Sequence, residues 1–214
     1  MTRVKVCGIT NLDDALAALA AGADLLGLNF YARSPRYVAP SDARRIVEAL
    51  PEGVECVGVF VNEAAPTDVE RVAREAGVVA VQLHGDETHE FCRALRSRTT
   101  IKALRVGPGF TPEAAARYPT DAVLLDAYVA GEWGGTGHTF DWTLARRTRE
   151  SVPRLFLAGG LKPENVAEAV AAVRPHAVDV CSGVETAPGR KSLQLMRRFV
   201  EQVREVDSSQ YGSA

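Results

Sequence analysis

The chain has 214 residues, 46% of them hydrophobic and 24% charged, with 25 Lys and Arg against 27 Asp and Glu. That is enough apolar material for one substantial core and an ordinary globular composition, so a single domain is expected. The net charge of −2 mixes both signs along the whole length, which excludes an extended cationic face for nucleic acid and an acidic tail.

Short runs rich in Val, Leu, Ile and Ala, suited to buried parallel strands, alternate with amphipathic segments from one end of the chain to the other. The first strand is predicted over 3–7 and leads to a helix over 12–21, with Asn11 as its amino-terminal cap and Gly22 closing it. A strand over 24–30 and a helix over 41–50 capped by Ser41 follow, then a strand over 54–61 and a helix over 67–76 closed by Gly77. Next come a strand over 78–83 with a helix over 87–96 capped by Asp86, and a strand over 100–106 with a short helix over 112–117 capped by Thr111. The last three units pair strands over 121–126, 154–158 and 177–181 with helices over 142–150 (capped by Asp141), 163–173 and 192–206. Eight right-handed strand-helix units without a linker predict a single-domain α/β fold, a (β/α)₈ TIM barrel over residues 1–206. Residues 207–214, which include Ser208-Ser209 and Gly212-Ser213, lack an apolar face and read as a disordered carboxyl-terminal tail.

In such a barrel the chemistry sits where the carboxyl ends of the strands converge, and several of these ends are polar or glycine-rich. Gly134-Gly135-Thr136-Gly137, Gly159-Gly160 and Ser182-Gly183 follow the sixth, seventh and eighth strands. Glycines let backbone N–H groups approach an anion closely, so these loops predict a phosphate cradle and a small phosphorylated ligand. Pro163, near the start of the seventh helix, leaves the neighbouring N–H groups to face that anion, and Lys162, Arg190 and Lys191 read as solvated.

The first strand ends in Lys5-Val6-Cys7-Gly8-Ile9-Thr10. Cysteine in a strand is as often a small core residue as a reactive one, but period-two alternation puts Lys5 and Cys7 on one face, and Asp179 and Cys181 on one face of the eighth strand. Closure would make those strands neighbours. A Lys5–Asp179 ion pair then follows, which either neutralises charge under the site or takes part in it, and the ammonium would favour Cys7 as a thiolate. Asp126 ends the apolar run 122–125, so its carboxyl group emerges at the barrel mouth. A thiol base and a carboxylic acid facing each other across that mouth suit the isomerisation of a sugar by proton transfer. Arg36, in the long loop after the second strand, either clamps a substrate carboxylate or is a surface arginine stiffened by Pro35.

With these segments in view, the chain closely resembles the phosphoribosylanthranilate isomerase family of tryptophan biosynthesis, from about residue 3 to residue 205. The likeness is carried in order by 5–10, Ser34-Pro35-Arg36, Val57-Gly58-Val59-Phe60, Gln82-Leu83-His84-Gly85, Leu125-Asp126, 134–137 with Phe140-Asp141-Trp142, 157–161 with Asn165-Val166, and Ser182-Gly183-Val184-Glu185. The resemblance implies a cofactor-independent Amadori rearrangement of N-(5-phosphoribosyl)anthranilate to 1-(2-carboxyphenylamino)-1-deoxyribulose 5-phosphate. It implies Asp126 as general acid, Cys7 as general base, Arg36 on the anthranilate carboxylate and the backbone around Gly160, Ser182 and Gly183 on the phosphate. Asp179 completes the expected substrate site, and His84 is expected to be a positioned structural residue. Two positions depart from the family pattern: Cys181 stands where serine is common, and Ser192 where aspartate is common. Cys181 near Cys7 would form a pair open to oxidation to a disulfide.

The competing readings are another phosphosugar isomerase or epimerase barrel, or a phosphate-binding barrel without chemistry. Metal-binding histidines or paired aspartates at strands 1 and 5 would mark the former, and strand 1 ends instead in Cys7. Cysteines at 7, 56, 92 and 181 and histidines at 84, 89, 138 and 176 show no metal-ligand or disulfide spacing, so no metal and a reducing cytoplasm are expected. The amino terminus carries no basic stretch followed by an apolar run, and no segment approaches membrane-spanning length, so neither a secretory signal nor a membrane partner is expected. Monomer or homodimer is the expected state, with a phosphorylated small molecule as the partner.

Overall fold

The computed structural model describes residues 1–95, 97–127 and 141–211. Eight parallel strands close into a barrel in chain order: β1 (Arg3–Cys7), β2 (Leu25–Asn29), β3 (Glu55–Phe60), β4 (Ala80–Leu83), β5 (Thr99–Val106), β6 (Ala122–Ala127), β7 (Leu155–Leu157) and β8 (Ala177–Val180). The seam is the pairing of β8 with β1, in which Lys5 lies opposite Asp179. Around the barrel run α1 (Leu12–Ala20), α2 (Pro40–Glu48), α3 (Pro66–Ala76), α4 (His89–Ala94), α5 (Pro112–Ala115), α6 (Trp142–Arg149), α7 (Val166–Val173) and α8 (Leu193–Tyr211). The predicted (β/α)₈ barrel is the observed fold.

Each strand is buried on both faces, which is why the runs are apolar throughout rather than alternating with polar residues. Leu25, Val57, Ile101, Leu124 and Phe156 point inward and fill the lumen with Ala80, Ala103 and Ala177. The intervening residues, Val4, Val6, Leu26, Leu28, Val123 and Leu125 among them, pack outward against helix residues such as Ala15, Ala43, Val69, Val170 and Phe199. Each fully buried aliphatic side chain contributes about 1.5–3 kcal/mol. The same inward register brings the polar side chains near the strand ends to one mouth.

Local signals are obeyed where they are strong. Asn11 Oδ1 accepts from Asp14 N at 2.8 Å and Asp141 Oδ1 from Thr143 N at 2.9 Å, while Gly77 closes α3 in the left-handed conformation at φ 75°. Several boundaries differ from the sequence reading. Ser41 does not cap α2, which begins one residue earlier with Pro40 in the first turn, where a missing N–H costs nothing. Asp86 does not cap α4: Thr88 does, accepting from Phe91 N at 3.2 Å, because Asp86 is turned outward to Arg105 at 2.8 Å. The fifth helix is a single turn, and α7 starts at Val166 because Asn165 Oδ1 holds Lys162 N at 2.9 Å in a loop.

The tail is also corrected. The final helix continues to Tyr211, and Asp207 is buried, accepting from Thr2 N at 2.7 Å and Thr2 Oγ1 at 2.9 Å. These bonds tie the end of the chain to the foot of β1, which a reading of local polarity does not reveal. The remaining tail, 212–214, lies outside the described residues.

Candidate active site

Alternation along the strands aims Cys7 from β1, Asn29 from the end of β2, His84 from just beyond β4, Asp126 from β6 and Asp179 from β8 into one cleft, joined by Ala158, Gly160, Cys181, Ser182 and Arg36 from the loops. Of the residues predicted to form the site, Cys7, Arg36, Asp126, Gly160, Asp179 and Ser182 line this cleft together. Gly183 lies next to it, in the 3-10 turn Ser182–Val184. The glycine loop 134–137 lies outside the described residues.

Cys7 sits opposite Gly27 in the β1–β2 register, and a β-carbon at Gly27 would fall 2.7 Å from its sulfur, so only glycine leaves room for the thiol here. The Cys7 thiol is held well below its ordinary value: a hydrogen bond with Cys181 is the largest cause, burial opposes it, and the ammonium groups of Lys5 and Lys191 add to the lowering. Cys181 is driven the opposite way by the same hydrogen bond and by burial, so the pair ionises at Cys7 and keeps its proton on Cys181. Both are free thiols, as are Cys56 and Cys92, in which burial pushes the pKa up to about 11.

Beneath Cys7, Lys5 Nζ bonds Asp179 Oδ1 at 2.7 Å, the ion pair expected from the strand register. Across the lumen Asp126 is 5% exposed; its Oδ1 accepts from Ala127 N at 2.8 Å and its Oδ2 lies 3.2 Å from His84 Nε2. His84 Nδ1 is in turn 2.9 Å from Gln82 Nε2. The sequence reading has His84 as a positioned structural residue and gives Gln82 no part of its own, although the two alternate on the inward face at the mouth end of β4, and that alternation was the available signal.

Arg36 does not stand free at the surface. Its Nε bonds Glu185 Oε1 at 2.9 Å and its Nη2 bonds Glu185 Oε2 at 2.7 Å, a two-point contact that occupies one edge of the guanidinium. Glu185 opens an unforeseen small hairpin after β8, made of β9 (Glu185–Ala187) and β10 (Arg190–Lys191). Lys191, read as solvated, is buried there with Nζ 2.8 Å from Glu185 Oε1 and 3.2 Å from the Cys181 carbonyl oxygen. Burial would raise the Glu185 carboxyl, but the bonds of Arg36 and the charge of Lys191 overcome it and hold it below the usual carboxylate range. A chain of contacts thus links Arg36, through Glu185 and Lys191, to Cys181 and Cys7.

Next to this segment, after β7, Gly159 and Gly160 take positive φ of 85° and 61°, and Asn165 Nδ2 braces the turn by bonding the Gly160 carbonyl oxygen at 3.0 Å. The Gly160 N–H meets no acceptor among the described residues. A β-carbon on Gly183 would lie 2.0 Å from the Leu161 carbonyl oxygen, so the two loops approach as closely as they do because residue 183 is glycine. Backbone loops of this kind suit an anion. Among the described residues no cluster of three His, Cys, Asp or Glu could hold a metal ion, and no helix is long and apolar enough to cross a membrane.

A family model described as N-(5'phosphoribosyl)anthranilate (PRA) isomerase matches residues 4–202. The chain belongs to this family. An N-(5'-phosphoribosyl)anthranilate isomerase of Trichlorobacter lovleyi is 49% identical over 205 residues, covering 96% of this chain and 99% of that protein. The crystal structure of phosphoribosyl anthranilate isomerase from Thermotoga maritima superposes with a TM-score of 0.89 at 46% identity, covering 96% of this chain and all of that one. A solved phosphoribosyl anthranilate isomerase in complex with reduced 1-(o-carboxyphenylamino)-1-deoxyribulose 5-phosphate reaches a TM-score of 0.86 at 44% identity, with 96% and 100% of the two chains covered. Membership in the isomerase family agrees with the resemblance carried by the segments from residue 5 to residue 185.

Proposed function

We propose that this isomerase-family chain converts N-(5-phosphoribosyl)anthranilate to 1-(2-carboxyphenylamino)-1-deoxyribulose 5-phosphate, with Asp126 as general acid and Cys7 as general base. The observation that supports this best is the meeting, in one cleft, of a thiol held low and a buried carboxyl group on opposite sides of the barrel. Asp126 gives its proton to the furanose ring oxygen as the C1′–O bond breaks, and the anilino nitrogen lone pair forms the protonated Schiff base. The Cys7 thiolate then takes the C2′ proton, and the electrons of that bond run through C1′ to neutralise the nitrogen, leaving an enolamine. Loss of the C2′ hydroxyl proton and protonation at C1′ give the ketone.

Arg36 offers the guanidinium edge that Glu185 leaves for the anthranilate carboxylate, and the loops at Gly160, Ser182 and Gly183 take the phosphate. Glu185 fixes the direction of Arg36, so binding requires no reorientation of that long side chain. Each proposed acid or base supplies on the order of 10²–10⁴ in rate. The test is loss of anthranilate-substrate fluorescence on adding the purified protein, with the labile substrate generated in situ. Rapid loss supports the reading, and no loss from a folded protein overturns it.

A further inference from the structure

A general acid must begin each turnover with its proton, yet Asp126 meets a backbone N–H on one oxygen and an imidazole nitrogen on the other. Ala127 N bonds Oδ1 at 2.8 Å, and His84 Nε2 lies 3.2 Å from Oδ2. Whether Asp126 keeps a proton therefore depends on whether His84 Nε2 is a donor or an acceptor, which depends on what His84 Nδ1 faces. Nδ1 faces the side-chain amide of Gln82.

Gln82 is fully buried on the inward face of β4, in a lumen wall of Ala80, Ile101, Ala103 and Leu124. Its Nε2 is 2.9 Å from Nδ1, and its Oε1, buried, has no hydrogen-bond partner among the described residues. An amide has nearly the same outline when turned by half a revolution about its last bond, so this contact admits two proton arrangements. With Nε2 toward the ring, Nδ1 accepts, Nε2 of His84 must carry the hydrogen, and Asp126 Oδ2 can only accept from it. With Oε1 toward the ring, Nδ1–H donates to it and His84 Nε2 offers its lone pair to an Asp126 O–H.

We propose that Gln82 is a positioning residue for the reaction: its Oε1 fixes His84 as the Nδ1–H tautomer, so that Asp126 and His84 Nε2 hold one proton between them and the acid starts loaded. The inference rests on Asp126 being the acid. It conserves protons, since the one shared by Asp126 and His84 is the one passed to the substrate oxygen, and it gives a buried amide inside an apolar wall a reason to be there. When the proton leaves, a lone pair faces a carboxylate, an arrangement that favours rapid reloading. The other titratable or charged groups around the cleft that holds the dyad, among the described residues, are Cys7 from β1 with Lys5 beneath it, Asp179 from β8, Cys181 just beyond it, and Arg36 from the loop after β2, while Arg105, opposite Asp126 in the β5–β6 register, carries its guanidinium to Asp86 at 2.8 Å.

The experiment compares Gln82→Leu and Gln82→Glu with the unmutated protein and with Asp126→Asn, measuring kcat and KM across pH together with the melting temperature. Gln82→Leu removes the acceptor; it is expected to lower kcat near neutral pH on the order of tenfold, the worth of about one hydrogen bond, with KM held and the alkaline fall-off moved to lower pH. Gln82→Glu keeps an acceptor toward Nδ1 and should retain most of kcat with the fall-off at or above its original pH. A Gln82→Leu profile that superposes on the unmutated one overturns the proposal, and so does equal impairment of the Leu and Glu variants, the mark of a purely structural role. Should Asp126→Asn itself keep normal turnover, the acid assignment fails first, which separates that failure from failure at Gln82.

Discussion

Lys5 Nζ lies 2.7 Å from Asp179 Oδ1 inside the barrel, with the two side chains 0% and 8% exposed. The two residues are 174 positions apart in the chain and directly opposite each other where β8 closes onto β1. Burial pushes Asp179 up to about 6, the pull of Lys5 notwithstanding, while on Lys5 the charges of Asp179 and Cys7 outweigh burial and hold the ammonium above the ordinary lysine value. The 2.7 Å contact makes the two groups an ion pair. Lys5→Met or Asp179→Asn leaves one charge buried without its partner, and chemical denaturation should show each destabilised by about 3–5 kcal/mol. The double replacement by apolar residues should recover most of that loss, and a strictly additive double variant would count against a coupled pair.

Cys7→Ser and Asp126→Asn should each cut turnover by ~10²-fold or more while leaving the affinity for inorganic phosphate nearly unchanged. Fluorescence-monitored kinetics and phosphate competition measure both. Near-normal turnover in either variant removes that residue from the proposed acid–base pair.

Cys181 is the largest influence holding the Cys7 thiol low. Cys181→Ala removes that hydrogen bond, so the Cys7 thiolate forms only at higher pH and the acid limb of kcat/KM moves to higher pH. Cys181→Ser restores a donor and should return the limb toward its starting place. A limb that ignores both substitutions would show that the thiol pair does not tune the base.

Arg36 and Glu185 should act as a unit on binding. Arg36→Met should raise KM with a smaller effect on kcat, and Glu185→Gln should raise it less, because the guanidinium stays but loses the carboxylate that aims it. Unchanged KM for Arg36→Met would argue against a carboxylate clamp.

Asp207 anchors the last helix to Thr2 through two hydrogen bonds. Asp207→Ala leaves the buried Thr2 N–H and hydroxyl unsatisfied and should lower stability by about 1–3 kcal/mol without altering KM. Thermal unfolding measures the first and the fluorescence assay the second.

Much of this molecule is legible in its residues taken in order. Apolar runs without alternation mark strands buried on both faces, the intervening amphipathic segments mark helices, and eight such units leave a closed barrel as the arrangement without exposed sheet edges. Strand-end position likewise singled out Cys7 and Asp126, and the glycine-bearing segments after the last two strands singled out Gly160 and Ser182, because strand ends and glycines can be read from the chain itself. Closure of the barrel decided the rest. The hairpin that carries Glu185 to Arg36 and buries Lys191, the meeting of His84 with Asp126 across β5, the turn of Asp86 outward to Arg105 and the hold of Asp207 on Thr2 all join segments remote in sequence. Local periodicity records which face of an element is buried, but the partner of a buried charge or amide is set only when distant strands close on one another, and those contacts decide what surrounds Cys7 and Asp126.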